Sequence, residues 1–81
     1  MRVRVLYFAS FRDAVGREEE FREIEDRARV EDLWTILARE VPLFARFPSM
    51  PPAARNREYV APGTTLHDGD EIAFLPPVAG G

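Results

Sequence analysis

One stretch of the 81-residue chain has a clear helical periodicity, and it lies in the middle of the sequence. Its apolar residues fall at i, i+3, i+4, i+7, i+8 and i+11 on one face: Val30, Leu33, Trp34, Leu37, Ala38 and Val41. Glu31 and Asp32 lie in the first turn, where the helix dipole favours negative charge, and Pro42 ends the helix. A chain of this length forms one modest core, so the sequence predicts a single domain in which this helix covers one sheet.

Strand-like segments precede the helix. Residues 1–8 alternate in polarity with the two-residue period of a β-strand. The face expected to pack on the core consists of Val3, Val5 and Tyr7. The opposite face begins with arginines and ends with two large apolar side chains, Leu6 and Phe8. We expect Ala9–Gly16 to be a connection and Arg17–Glu25 to be a second, more polar strand antiparallel to the first.

The segments after the helix complete a small mixed sheet. Leu43–Arg55 contains several prolines and is predicted to be a loop with at most a short helical turn. Asn56–Val60 and Glu71–Leu75 are predicted strands separated by turn sequences. If the last strand pairs beside the first, it must run parallel to it, because the helical segment supplies the crossover. This layout is a β-grasp of the α+β class, a mixed sheet packed on one main helix.

The composition excludes several kinds of chemistry. The chain has no cysteine, which removes disulfides, thiolate metal sites and a cysteine nucleophile. All 11 basic residues are arginine, so lysine Schiff-base chemistry and a P-loop lysine are excluded as well. The chain also has no glutamine and a single asparagine. This depletion is typical of thermophile proteins, although a GC-rich genome alone would also favour arginine over lysine.

The charge and hydropathy of the chain argue against nucleic acid and membrane partners. The net charge is −3, which does not attract phosphates. The apolar runs are far shorter than the roughly 20 residues that span a bilayer. The N-terminus runs directly into strand-like sequence without room for a signal peptide. We therefore expect a cytoplasmic protein.

The side chains offer few candidates for catalysis or metal binding. His67 is the only histidine, so a two-histidine metal site or a catalytic dyad cannot form. The segment Asp68–Glu71 lacks the alternating ligands of a calcium loop and is interpreted as a turn. The acidic run Glu18–Asp26 is either a solvated strand edge that discourages edge pairing or a docking surface for a basic partner. No metal site is predicted, and no cofactor is expected to bind this chain.

The last six residues have a different character. Pro76 and Pro77 end the last strand because neither nitrogen can donate to a ladder. Residues 76–81 can then project up to about 20 Å. Gly80 and Gly81 have no side chains, so a flexible tail that ends in them could thread a channel. The terminal carboxylate is the one group that this protein could present deep inside another protein's active site.

The segment Asp68–Gly81 resembles the C-terminal motif of the small subunit of molybdopterin synthase. Four earlier segments match the same family and occur in the same order: Val5–Ala9, Arg12–Gly16, Val30–Leu33 and Asn56–Val60. The resemblance thus covers essentially the whole chain. Members of the family are ubiquitin-like β-grasp proteins that carry sulfur, which implies a domain of residues 1–75 and an extended tail of residues 76–81.

The resemblance also implies a mechanism. A ubiquitin-activating-type adenylyltransferase would use ATP to adenylate Gly81, and a cysteine desulfurase system would supply sulfur to make a thiocarboxylate. In a heterotetramer with the large synthase subunit, Gly81 would give this sulfur to cyclic pyranopterin monophosphate and so build molybdopterin. The residues that thread and aim the tail would be Pro76, Pro77, Val78, Ala79 and Gly80.

The partner surface of the family is an apolar patch on the exposed sheet face. The matching positions here are Phe8, Tyr59 and Leu75, and the strand parity already places Phe8 and Leu75 opposite the core residues. The alternative is that these side chains are buried under the proline-rich loop. Two positions depart from the family pattern: Arg29 stands where the helix cap is often threonine, and Leu75 where an aromatic residue is common.

Two other kinds of function stay open. A related carrier would share the activation step but deliver sulfur to thiamine thiazole synthesis or tRNA thiolation, or become attached to target lysines. Thiamine-type carriers are typically shorter and lack the Leu43–Arg55 insert, which favours the molybdopterin pathway. The remaining alternative is a ubiquitin-like docking module with a chemically idle C-terminus.

Overall fold

A computed structural model describes residues 1–77, which form five strands and three helices. The strands are β1 (Arg2–Tyr7), β2 (Glu19–Glu23), β3 (Ala53–Arg55), β4 (Glu58–Val60) and β5 (Glu71–Phe74). The helices are α1 (Ala9–Val15), α2 (Val30–Glu40) and α3 (Pro42–Ala45). The strands form one mixed sheet in the order β2-β1-β5-β3-β4.

The C-terminal strand β5 lies in the middle of the sheet. It pairs parallel with β1, in a register that places Val5 beside Ile72 and Tyr7 beside Phe74. On its other side it pairs antiparallel with β3. The predicted parallel pairing of the first and last strands is therefore confirmed, as is the antiparallel pairing of β1 with β2.

The main helix α2 packs on one face of this sheet and encloses the core. Val3, Val5 and Tyr7 are buried, as their alternation predicts, and Leu33, Trp34 and Leu37 of the helix are buried with them. The ring centroids of Trp34 and Phe74 lie 5.1 Å apart. Arg29 provides no side-chain cap at the start of α2, but its backbone N–H donates to Asp32 Oδ2 at 2.8 Å. Asp32 thus satisfies one of the donors at the start of the helix.

The segment Ala9–Gly16, predicted to be a connection, contains the helix α1, so that prediction is wrong. The helix ends at Gly16, which has φ 86° in the left-handed region that glycine tolerates. The side chain that holds α1 is Phe11, which is fully buried with its ring 4.7 Å from that of Phe44. A seven-residue helix with one buried side chain leaves no readable periodicity, and tertiary packing rather than propensity stabilises it.

The second error lies in the proline-rich segment 43–55. The short helical turn allowed there is confirmed by α3, but residues Ala53–Arg55 form β3 instead of loop. This strand pairs with both β4 and β5, and the ladder supplies what the alanine-rich sequence does not indicate. The predicted strand 56–60 begins only at Glu58, because Asn56 and Arg57 have φ 51° and 71° and form the turn between β3 and β4.

The turn before β5 is tied to that hairpin turn. Asn56 Nδ2 donates to Asp70 Oδ1 at 3.1 Å, and Asn56 Oδ1 accepts the N–H of Glu71 at 2.9 Å. The other oxygen of Asp70 accepts the N–H of His67 at 2.8 Å. The turn interpretation of Asp68–Glu71 is therefore confirmed, and Asp70 is occupied by internal hydrogen bonds. Within residues 1–77, no group of three His, Asp or Glu side chains is placed to hold a metal ion.

A half-buried polar network joins β1, β2 and α2 at the edge of the core. The Tyr7 hydroxyl donates to Glu20 Oε1 at 3.0 Å, and Arg22 Nη1 donates to Glu20 at 3.3 Å and to Glu40 Oε1 at 2.8 Å. Burial, followed by the charge of Glu20, raises the pKa of Tyr7. The hydrogen bond from Arg22 lowers the pKa of Glu40.

The acidic run Glu18–Asp26 contains β2, which is an edge strand of the sheet. Several of its carboxylates pair with arginines of this chain, among them Glu19 with Arg4 and Glu20 with Arg22. This arrangement agrees with a charged edge that discourages pairing with other chains. Docking of a basic partner to the same edge stays a prediction.

Replacement of Asn56 tests the link between the two turns. Asn56→Ala removes both hydrogen bonds and places a Cβ-bearing residue without a local hydrogen bond at positive φ, so we expect about 2–3 kcal/mol of destabilisation in urea unfolding. Asn56→Gly loses the same hydrogen bonds but tolerates the backbone angle, and it should lose only about 1–2 kcal/mol. Equal free energies of unfolding for Asn56→Ala and the unaltered chain would show that the link between the two turns does not stabilise the fold.

The raised pKa of Tyr7 predicts a loss of stability in alkali. Above the ordinary tyrosine pKa of about 10, Tyr7 loses its proton in the unfolded state but keeps it in the folded state. The free energy of unfolding therefore falls as pH rises. The chain has no lysine, and tyrosines are therefore the main side chains that titrate in this range. Tyr7→Phe should flatten the dependence of unfolding free energy on pH between about pH 9 and 11. The matched variant at exposed Tyr59, Tyr59→Phe, should retain it; equal slopes for both variants would contradict the assignment.

Candidate functional site

The face of the sheet away from α2 carries an apolar surface across four strands. We call it the sheet patch; its members are Leu6, Phe8, Ala54, Tyr59, Ala73 and Leu75. Phe8 is 47% exposed and Tyr59 76% exposed, which places them among the most exposed large hydrophobic residues of the described chain. An exposed apolar cluster of this kind is typical of an interaction site.

Strand register brings the sheet patch together. Ala73 of β5 lies between Leu6 of β1 and Ala54 of β3, and Ala54 in turn lies beside Tyr59 of β4. Tyr7 and Phe74 are the last pair of β1 and β5, so the next residues, Phe8 and Leu75, share one end of the patch. Since paired residues project to the same face, these side chains form a continuous row.

The structure places the three predicted partner-binding residues on one face. Phe8 and Tyr59 are exposed and Leu75 is half-buried, so burial of the group under the proline-rich loop is wrong. Val60, the neighbour of Tyr59, packs against the core instead. The role of these residues in partner binding stays a prediction.

A groove of about 380 Å³ runs along the sheet patch, and we call it the sheet groove. Its lining residues are Arg4, Leu6, Phe8, Ala54, Arg57, Glu71, Ala73 and Leu75. The apolar residues at one end are Phe8 and Leu75, and the other end is charged. The sequence did not single out Ala54, because β3 was not predicted, or Arg57, which has no pattern that distinguishes it from other arginines.

Arg4 is held by two carboxylates at the charged end of the groove. Its Nε donates to Glu19 Oε2 at 3.0 Å and its Nη1 donates to Glu71 Oε2 at 3.1 Å. The hydrogen bond to Glu19 raises the pKa of Arg4. Further along the same face, the guanidinium carbon of Arg2 lies 4.2 Å from the ring centroid of Phe21. The charged half of this face is thus largely self-paired.

The tail begins at the apolar end of the groove. The Leu75 N–H donates to the carbonyl of Pro52 at 2.9 Å, which anchors the chain just beyond β5. Pro76 and Pro77 follow as irregular backbone. The remaining predicted tail residues, Val78, Ala79, Gly80 and Gly81, lie outside the described residues, so threading by the tail stays a prediction. None of the helices described for residues 1–77 has the length and apolarity that a membrane span requires.

The topology defines a class of protein. A mixed sheet whose last strand lies parallel to the first, with one main helix across it, is the ubiquitin-like β-grasp fold predicted from the sequence. The sequence profile of the ThiS family matches residues 5–81. The chain therefore belongs to the ThiS family. Together with the full-length relatives described next, this match confirms the resemblance to the small subunit of molybdopterin synthase.

Curated relatives match over the full length of the chain. The molybdopterin synthase sulfur carrier subunit of Chlamydomonas reinhardtii is 39% identical over 83 residues, and all of both chains is covered. Small archaeal modifier protein 3 of Haloferax volcanii is 33% identical over 92 residues, again with complete coverage of both chains.

A solved structure shows a similar chain in a complex. In the protein-protein complex of subunits 1 and 2 of the molybdopterin-converting factor from Helicobacter pylori, the similar chain is 28% identical with a TM-score of 0.67. All of both chains is covered by this match. The fold described here is therefore found in a protein that assembles with a second subunit.

Proposed function

We propose that this chain is the sulfur carrier subunit of a molybdopterin synthase. The observation that carries the proposal is the full-length similarity to molybdopterin synthase sulfur carrier subunits, a match that includes Gly80 and Gly81. The geometry supports it, because the tail follows directly after Leu75, which lies beside the exposed side chain of Phe8. A partner that covers the sheet patch would therefore lie next to the start of the tail.

Activation of the C-terminus starts from a group of low reactivity. With a reference pKa of about 3.3–3.7, the Gly81 carboxylate is ionised at neutral pH and is a poor electrophile. In the proposed first step, a carboxylate oxygen attacks the α-phosphorus of ATP on a ubiquitin-activating-type adenylyltransferase and releases pyrophosphate. The product is an acyl-adenylate with AMP as a good leaving group. This chain binds no cofactor of its own in the scheme, and ATP belongs to the activating enzyme.

Sulfur transfer follows in two further steps. The terminal sulfur of a persulfide, supplied by a cysteine desulfurase system, attacks the Gly81 carbonyl and displaces AMP. A thiol then reduces the acyl disulfide, leaves the thiocarboxylate on Gly81 and forms a disulfide with the donor. Because the chain has no cysteine, the sulfur has no side chain on which to travel.

The last stage needs a second subunit. The tail enters the large synthase subunit, where the thiocarboxylate gives sulfur to cyclic pyranopterin monophosphate and the carboxylate is regenerated by hydrolysis. Two charged carriers supply the two sulfurs of the dithiolene, which suits a heterotetramer of two small and two large subunits. Pro76 and Pro77 restrict the backbone at the start of the tail, and Gly80 presents no side chain near the reacting carbonyl. The cytoplasmic location expected from the sequence is part of this proposal.

Intact-mass spectrometry tests the carrier chemistry. After incubation with the activating enzyme, ATP and a sulfur source, we expect the chain to gain the mass of sulfur minus that of oxygen. Deletion of Gly81 moves the carboxylate by one residue and should abolish both this exchange and sulfur transfer, while binding of the large subunit is retained. If a competent activating enzyme produces no exchange of oxygen for sulfur, the chain is not a sulfur carrier. If the variant without Gly81 keeps the full biological activity of the chain, a docking module is favoured.

Substitutions in the sheet patch test the partner surface. Phe8→Ser should weaken binding of the large subunit about tenfold or more, since the interface would lose an aromatic side chain that becomes buried in the complex. Because Phe8 is already 47% exposed in the free chain, the unfolding free energy should change by no more than about 1 kcal/mol. Phe21→Ser is the matched control, because Phe21 is 55% exposed on the same sheet face but outside the patch. Equal losses of affinity for the two variants would contradict the assignment of the patch.

A protein modifier is the second candidate function. It is favoured by the full-length similarity to small archaeal modifier protein 3. Activation would be shared, but a target lysine would attack the acyl-adenylate and form an isopeptide bond. Because the chain has no lysine, it cannot build lysine-linked chains of itself. Lysine adducts in cells would support this function, whereas purification with a molybdopterin-forming partner would support the first; a tRNA-modifying or thiamine-forming partner would identify a related carrier.

A further inference from the structure

The two ends of the sheet groove differ in charge. At one end, where the tail begins, Phe8 and Leu75 provide an apolar lining. At the other end, Arg4, Arg57 and Glu71 line the groove. Strand β5 runs from the charged end, at Glu71, to Phe74, which directly precedes Leu75 at the apolar end. At about 3.3 Å per residue, the groove is long enough for roughly four residues of an extended partner segment.

The charged end contains two arginines in different states. Arg4 is engaged by Glu19 and Glu71 through the hydrogen bonds described above. Arg57 is exposed, and none of the ion pairs found among residues 1–77 includes it. The carboxylates on this part of the face are therefore already occupied by Arg4, and the guanidinium of Arg57 is available to a carboxylate from outside the described chain.

The backbone fixes where Arg57 stands. It is the second residue of the two-residue turn between β3 and β4, with φ 71°. The preceding residue, Asn56, is held by its hydrogen bonds to Asp70 and Glu71. The turn is thus anchored to the strand that forms the floor of the groove, and a partner meets this arginine at a defined position beside the sheet patch.

We propose that Arg57 is a specificity-determining residue that binds a carboxylate of the large synthase subunit while that subunit covers the sheet patch. The inference rests on the proposed function. The partner segment is extended, places apolar side chains over the Phe8 and Leu75 end, and presents an aspartate or glutamate at the Arg57 end. A charge at the rim of an interface rejects partners that lack the complementary group, and it makes binding depend on salt.

The test compares charge variants in binding of the purified full-length chain to the large subunit. Arg57→Glu should raise the Kd about tenfold or more at low salt, and the difference from the unaltered chain should shrink as salt screens the charges. Arg57→Lys keeps the charge at the rim and should stay within about threefold. Arg27→Glu is the matched control: Arg27 is also exposed, has a similar φ of 70°, and lies in a groove beside α2 instead. This control should stay within about twofold.

Several results would overturn the inference. They are an unchanged Kd for Arg57→Glu, equal losses for Arg57→Glu and Arg27→Glu, or a loss that does not respond to salt. Self-association of the chain that Arg57→Glu abolishes would also overturn it, because the occupant would then be a second copy. If the unaltered chain binds the large subunit and forms a thiocarboxylate, failure at Arg57 leaves the proposed function standing; if it does neither, both fall.

Discussion

The parallel pairing of β1 with β5 is the constraint on which the rest of the structure depends. Ile72 and Phe74 are fully buried beside Val5 and Tyr7, so the last strand cannot leave the sheet without opening the core. This pairing places the C-terminal strand in the middle of the sheet instead of at an edge. The tail consequently starts next to Phe8, at one end of the sheet patch. One set of buried contacts therefore fixes both the position of the sheet patch and the origin of the tail.

The parts of the fold that could be predicted from the sequence are those whose own periodicity is strong. The face of α2 and the alternation of β1 are continuous over at least six residues, and each packs the side chains that its pattern indicates into the core or against it. Helix α1 and strand β3 were missed because their stability is not local. Phe11 is the one buried side chain in α1, and β3 is three residues long and held by neighbours on both sides.

The candidate site was predictable to a different extent. Strand parity alone places Phe8 and Leu75 away from the core, whereas the outward face of Tyr59 depends on pairing with β3, a strand that the sequence does not reveal. The position of Arg57 depends on a turn with two positive φ angles and on distant hydrogen bonds from Asn56. Local sequence does not indicate such long-range pairing. Only the structure therefore shows that one end of the sheet groove is apolar and the other charged.

The sheet patch and the tail are proposed to form one binding surface, with α2 facing away from the partner. NMR titration of isotope-labelled chain with the large subunit tests it most directly. We predict that backbone amides of Phe8, Tyr59 and Leu75 shift or broaden together with those of the tail, while amides on the exposed side of α2, such as Thr35 and Arg39, stay unchanged. Perturbations confined to α2 and absent from the sheet face would contradict the account.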